Sequence, residues 1–188
     1  MTQIPGREYP ILVGSQDIYH GRVINVRVDT IEVERGGNVR REVVEHPGAV
    51  VVVPIDPDGR ILWVRQYRYA VDKELLELPA GTLERREEPE ACAQRELAEE
   101  TGFTAAKLER LGSFYSAPGF CTELMHAFAA SSLHPAADAH ADEDEEIELE
   151  PLTVRESLLR IDAGEVRDAK SLAAIFLYLR RHPGAAAK

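Results

Sequence analysis

Residues 81–103 read GTLERREEPEACAQRELAEETGF. Pro89 suits the first turn of an α-helix, where its missing N–H is not needed. Gly102 suits the residue that closes one. The spacing predicts a helix over PEACAQRELAEET, residues 89–101, entered from a loop that carries Pro79 and Gly81. Each helical residue advances about 100°. Glu96 and Glu100 therefore stand one above the other, and Glu99 flanks the same face. Like charges at this spacing weaken an isolated helix by roughly 0.2–0.5 kcal/mol per pair. A solvated face would intersperse lysine and arginine, yet only Arg95 is near. A solvated face is the ordinary reading of such a helix taken alone; a cation site is the alternative, and the flanking sequence decides between them.

Before this helix the pattern is that of strands. RVINVRVDTIEVE (22–34) sets Val26 and Val28 between polar residues, and the turn RGGN (35–38) leads to VRREVVEH (39–46), a hairpin signature. GAVVVVPI (48–55) is a β-branched run fit for a strand buried on both faces. DPDG (56–59) turns the chain into ILWVRQYRY. LLELPAGTLERREE reads as a short strand and then a loop. After the helix, strands are predicted near 108–116 and 123–130. Thr153 and Glu156 have capping-box spacing ahead of a helix that ends at Gly164. A last helix runs from about Asp168 to Arg181, with its basic end at the negative pole of the helix dipole. Strands, helix, strands and helices in that order predict an α+β fold with a mixed sheet covered by helices.

Composition narrows the function classes. The 188 residues are 44% hydrophobic and 29% charged, enough for one folded domain with a terminal extension. Cys92 and Cys121 match no metal or redox spacing, which favours a reducing, cytoplasmic setting. MTQIPGREYP lacks the pattern of a secretory signal, and AVVVVPI is far too short to span a bilayer, so no membrane partner is expected. The net charge is −11, but eight acids lie in 138–150 alone; elsewhere 25 acids face 22 bases. No basic footprint for nucleic acid is present. An acidic chain that handled phosphates would need a divalent cation to neutralise them.

From Gly81 the stretch reads G-x5-E-x7-R-E-U-x-E-E-x-G-U, with U a bulky apolar residue. Gly81, Glu87, Arg95, Glu96, Leu97, Glu99, Glu100, Gly102 and Phe103 fill every specified position. This resembles the Nudix box, the signature of hydrolases that cleave a nucleoside diphosphate linked to another moiety. Pro118, sixteen residues after Gly102, resembles the ADP-ribose pyrophosphatase subfamily, as does the length of chain ahead of GAVVVVPI. The resemblance runs from about Tyr19 to Leu179. It implies the Nudix fold, an α/β/α sandwich with a mixed central β-sheet plus a small N-terminal β-sheet extension. Residues 1–46 would form that β domain and a swapped homodimer, and 47–188 the hydrolase domain.

The resemblance also assigns roles. Glu96 and Glu100 are the main metal ligands, joined by the carbonyl of Ala80 and by Glu99, which counts also with the catalytic set. The ion is Mg²⁺, with Mn²⁺ the alternative; such an ion takes hard oxygen ligands and shares itself with substrate phosphates. Gly81, Glu87, Arg95 and Gly102 are structural, with Glu87 paired to Arg95. Arg41 and Arg68 match positions that bind the diphosphate or the terminal ribose phosphate, a role suited to a guanidinium fork. Arg40 replaces Arg41 if the strand faces the other way. Glu123 and Pro118 match ligand-facing positions, whereas Tyr19 is read as ordinary packing. The general base comes from the acidic tract, Glu143 with Glu145 next. The implied reaction is hydrolysis of ADP-ribose, a small-molecule nucleoside diphosphate. The alternatives are another nucleoside-diphosphate sugar such as GDP-mannose, a CoA or flavin diphosphate, or a non-catalytic ADP-ribose sensor.

Overall fold

The structure is a computed structural model that describes residues 10–137 and 147–187. It divides into two compact units, one comprising the chain up to Pro47 together with Ala117–Glu123, the other Gly48–Ser116 and the chain from Leu124 onward.

In the larger unit the valine run forms β4 (Ala49–Pro54), buried along its whole length. Successive side chains of a strand point to opposite faces, and both faces are covered. Val50 and Val52 pack with Cys92, Ala93 and Leu97 of α1 (Pro89–Thr101). Val51 and Val53 belong to a second core with Ala174, Ile175 and Tyr178 of α3 (Ala169–Arg181). Helices on both sides of a sheet make an α/β/α sandwich. Around β4 the order is β7-β4-β9-β8, with β7 Ala80–Thr82, β8 Phe103–Tyr115 and β9 Leu124–Pro135. The β4–β9 pair is parallel and the other two pairs are antiparallel, so the sheet is mixed. A second sheet has the order β10-β5-β6, with β5 Ile61–Arg68, β6 Lys73–Glu77 and β10 Ile147–Leu152. Helix α2 (Val154–Asp162) opens on the Thr153–Glu156 capping box. Trp63 of β5 is fully buried and donates from Nε1 to Ser157 Oγ of α2 at 2.8 Å.

The smaller unit is an antiparallel sheet, β1 (Ile11–His20), β2 (Asn25–Glu32) and β3 (Asn38–Glu45). The segment 117–123 joins it through a parallel bridge between Val44 and Cys121 and two backbone hydrogen bonds at Val44, of 2.7 and 2.9 Å. Strand β1 escapes the sequence reading because its apolar residues fall on both parities and it is exposed from end to end. Tyr19 lies on it, 54% exposed, with its ring packed over Gly21. Strand β8 begins directly at Phe103, five residues before its expected start. No helix among the described residues is long and apolar enough to cross a membrane.

Ser157→Ala is expected to leave the buried Trp63 N–H unpaired and to lower stability by about 1–3 kcal/mol. The chain holds one tryptophan, so its fluorescence during urea unfolding reports this directly. An unchanged unfolding midpoint would show that the indole finds another acceptor.

Candidate active site

The site is built where β7 meets α1, both in the larger unit. Helix α1 starts with Pro89 at its first turn and ends at Gly102, whose φ of 74° is left-handed and whose N–H donates to the Ala98 carbonyl. That termination leaves Glu96, Glu99 and Glu100 in the last two turns, against β7. The approach is closest at Gly81, where an added Cβ would overlap the Glu96 carboxylate. A glycine is required there because the backbone of β7 lies directly on that side chain. Glu100 faces the same strand, and its Oε2 accepts from the Ala80 N–H at 3.3 Å.

Arg95 organises the remaining charge. Its Nε and Nη2 donate to the two oxygens of Glu87, each at 2.9 Å, tying loop to helix with a bidentate fork. Its Nη2 also donates to the Thr82 carbonyl at 3.2 Å, and its Nη1 to Glu96 at 2.6 Å and Glu99 at 2.9 Å. One cation thus serves three carboxylates. The Arg95 hydrogen bonds hold the Glu87 carboxyl far below its ordinary range, at about 2, against a smaller opposing effect of burial. Glu96 shifts the other way: burial pushes its pKa up, Arg95 opposes this, and the charges of Glu99 and Glu87 push it further up. The Glu96 carboxylate is 9% exposed and shares its guanidinium with two other carboxylates.

The donor set fits a hard divalent cation. Among the described residues no three or more histidine, cysteine, aspartate or glutamate side chains are gathered closely enough to hold a metal ion by themselves. Mg²⁺ does not demand so many, since it keeps several waters and completes its shell with substrate phosphate. Glu96 and Glu100, both against β7 beside Ala80, with Glu99 on the flank, would offer carboxylate oxygens to such an ion.

The other residues singled out from sequence fall in two places. Arg41, Pro118 and Glu123 belong to the smaller unit. Arg40, Arg41 and Glu42 line a cavity of about 460 Å³ with Val28, Gly119 and Phe120, and Pro118 precedes that last pair. Neither Arg40 nor Arg41 has a carboxylate within 4 Å among the described residues; Arg41 donates to the Arg40 carbonyl at 3.0 Å. Glu123 lies 3.6 Å from His46. Arg68 belongs to the larger unit and donates to Glu77 through Nε and Nη2, at 3.1 and 2.6 Å. Glu143 and Glu145 lie outside the described residues. Sequence reading passed over Glu77, whose burial no local pattern signals.

A family model described as the NUDIX domain matches residues 45–175, more than two thirds of the chain. The chain belongs to the Nudix family. Among curated relatives it is 41% identical to the ADP-ribose pyrophosphatase of Bacillus subtilis (strain 168), over 87% of this chain and 89% of that protein. It is 40% identical, with the same coverage, to the methanol dehydrogenase activator of Bacillus methanolicus. The crystal structure of an ADP compounds hydrolase superposes with a TM-score of 0.84 at 24% identity, covering 94% of this chain and 96% of that one, a likeness of fold. This Nudix enzyme is a hydrolase, and its box is the α1–β7 wall described above.

Removing the Glu87 carboxylate tests the wall. A carboxyl whose folded pKa lies below its unfolded value contributes stability above the unfolded value, about 4.5, and loses it as pH falls through about 2. Glu87→Gln is expected to cost roughly 1–2 kcal/mol near neutral pH. The gap from the wild type should narrow as urea denaturation is repeated from about pH 6 down to about pH 3. A gap independent of pH would show that the ionised Glu87 does not hold Arg95.

Proposed function

We propose that this Nudix hydrolase cleaves the diphosphate of ADP-ribose to AMP and ribose 5-phosphate, with Mg²⁺ as its ion and Mn²⁺ the alternative. The observation that carries this reading is the glutamate wall against Gly81, undersupplied with positive charge, in a chain that keeps all the box carboxylates. A non-catalytic ADP-ribose sensor would have no use for that wall. Similarity along most of the chain to an ADP-ribose pyrophosphatase supports the choice of substrate.

Glu96, Glu99, Glu100 and the Ala80 carbonyl would hold the ions. When bound, they neutralise the diphosphate and lower the pKa of the attacking water. Arg41 and Arg68 hold phosphate oxygens by guanidinium forks, with Glu123 and the backbone around Pro118 beside the ligand. Water adds to one phosphorus, the bond from that phosphorus to the bridging oxygen breaks, and the bridging oxygen leaves on the second phosphate. Glu143 or Glu145 takes the proton of the water. The first 46 residues form a β domain that exchanges between two copies in a cytoplasmic homodimer. Supporting this, strand β1 leaves Leu12 60% and Val13 56% exposed, a hydrophobic surface of the kind that marks an interface.

A panel of ADP-ribose, GDP-mannose, FAD and coenzyme A, assayed by phosphatase-coupled phosphate release, tests the substrate. ADP-ribose should lead in kcat/KM by at least about tenfold, and GDP-mannose in first place would reassign the enzyme. Glu100→Gln should lose on the order of 10²–10³-fold in kcat with Tm nearly unchanged; near-wild-type turnover would remove the metal assignment. Glu143→Gln and Glu145→Gln, measured separately, identify the base, and full rate in both would place it elsewhere. Sedimentation should give a dimer, and a monomer would end the exchanged-domain reading.

A further inference from the structure

Beside the site, the larger unit holds a charged cluster around Arg68 whose other members the mechanism does not use. Glu77, the last residue of β6, is 2% exposed, yet its Oε2 accepts three hydrogen bonds. Two come from Arg68, and the third from Lys170 Nζ in the first turn of α3, at 2.5 Å. Lys170 also donates to Asp168 Oδ1 at 2.9 Å. That oxygen caps the helix as well, accepting from Ser171 N at 2.9 Å, while Asp168 Oδ2 is buried with no hydrogen-bond partner among the described residues. One residue past Glu77, the Leu78 N–H donates to Ser171 Oγ at 2.8 Å. The start of α3 therefore grips β6 twice, immediately before Pro79, Ala80 and Gly81.

Burial alone would drive the Glu77 carboxyl upward, but its hydrogen bonds to Arg68 and the charge and hydrogen bond of Lys170 outweigh that and hold it below the usual carboxylate range. It is ionised, and its single charge is divided between two cations. Of the three side chains, Arg68 is the most exposed, at 35% against 19% for Lys170 and 3% for Glu77. A carboxylate shared by two cations neutralises neither fully. The four groups sum to zero only with Lys170 in place; without it, two carboxylates face one guanidinium.

We infer that Glu77 and Lys170 are positioning residues for Arg68, Glu77 fixing the Nε–Nη2 edge of its guanidinium and Lys170 preserving its positive field toward substrate phosphate. This rests on the reading of Arg68 as a phosphate-binding residue. The arrangement divides two needs that conflict. A long arginine side chain must be immobilised to bind with little entropic loss, but an immobilising carboxylate alone would cancel the charge it presents. Lys170, in the first turn of α3 and donating to the same carboxylate oxygen as Arg68, removes the conflict.

A double-mutant cycle on the full-length enzyme with ADP-ribose tests this. Lys170→Met is expected to lower kcat/KM about tenfold, chiefly through KM, and Lys170→Arg to restore most of it. In an Arg68→Ala background, the same Lys170→Met change should alter kcat/KM by less than about twofold, because nothing remains to position. A merely structural Lys170 would cost the same factor in both backgrounds, and that result overturns the inference. So does wild-type kcat/KM in Lys170→Met while Arg68→Ala is impaired. Wild-type kcat/KM in Arg68→Ala would instead remove the phosphate-binding role of Arg68 itself. Should Lys170→Met fail to fold by near-ultraviolet circular dichroism, Lys170→Gln, which keeps an uncharged donor, replaces it in the same cycle.

Discussion

A buried carboxylate needs positive charge, and the environment of Glu96 is arranged so that it never has quite enough. Backbone closes one side at Gly81, Arg95 occupies another, and Glu99 crowds the same guanidinium. An exposed glutamate would satisfy itself with water and have little reason to bind a metal. Complete pairing with arginines would also leave nothing to bind. The helix wall lies between these limits. Arg95 divides its donors among Glu87, Glu96 and Glu99, so one guanidinium ties loop to helix and faces three carboxylates.

The same economy recurs on the other side of the sheet. Glu77 serves Arg68 and Lys170 as Arg95 serves three glutamates: one buried charge shared among several partners. The core makes such sharing stable. Val50 and Val52 lock α1 to one face of β4, and Val51 and Val53 tie the opposite face to α3. Strand β4 also runs beside β7, so both charged clusters are referred to a single strand buried on both faces. A shift of that strand would move the glutamate wall and the Arg68 support together.

Much of this was legible in the sequence. The valine run, the capping box at Thr153, Pro89 and Gly102 at the ends of α1, and the spacing of the three glutamates are local patterns, and local patterns carry physical meaning without a partner. Strand β1 left no such trace, because a strand exposed on both faces has no need to alternate. The early start of β8 was hard to read because Ala105 and Ala106 disfavour strands and interrupt the pattern that Phe103 and Thr104 begin. Arg68 was picked out from sequence as a phosphate ligand, but its anchor was not, because Glu77 and Lys170 are 93 residues apart in the chain.

The sequence by itself determined the chemistry on offer: an acidic helix face of fixed periodicity, a glycine where a side chain cannot stand, and too few basic residues nearby. These follow from residue identity and the geometry of one helix. Only the tertiary structure decided how much each charge matters, since that depends on burial and on partners brought from distant segments. It buried Glu96 against Gly81, made Glu87 strongly acidic, and made Glu77 a shared counter-ion. The reason is dielectric. The same carboxylate is an inert, screened charge in water and a strong constraint once protein surrounds it, and no stretch of sequence states which of the two it will be.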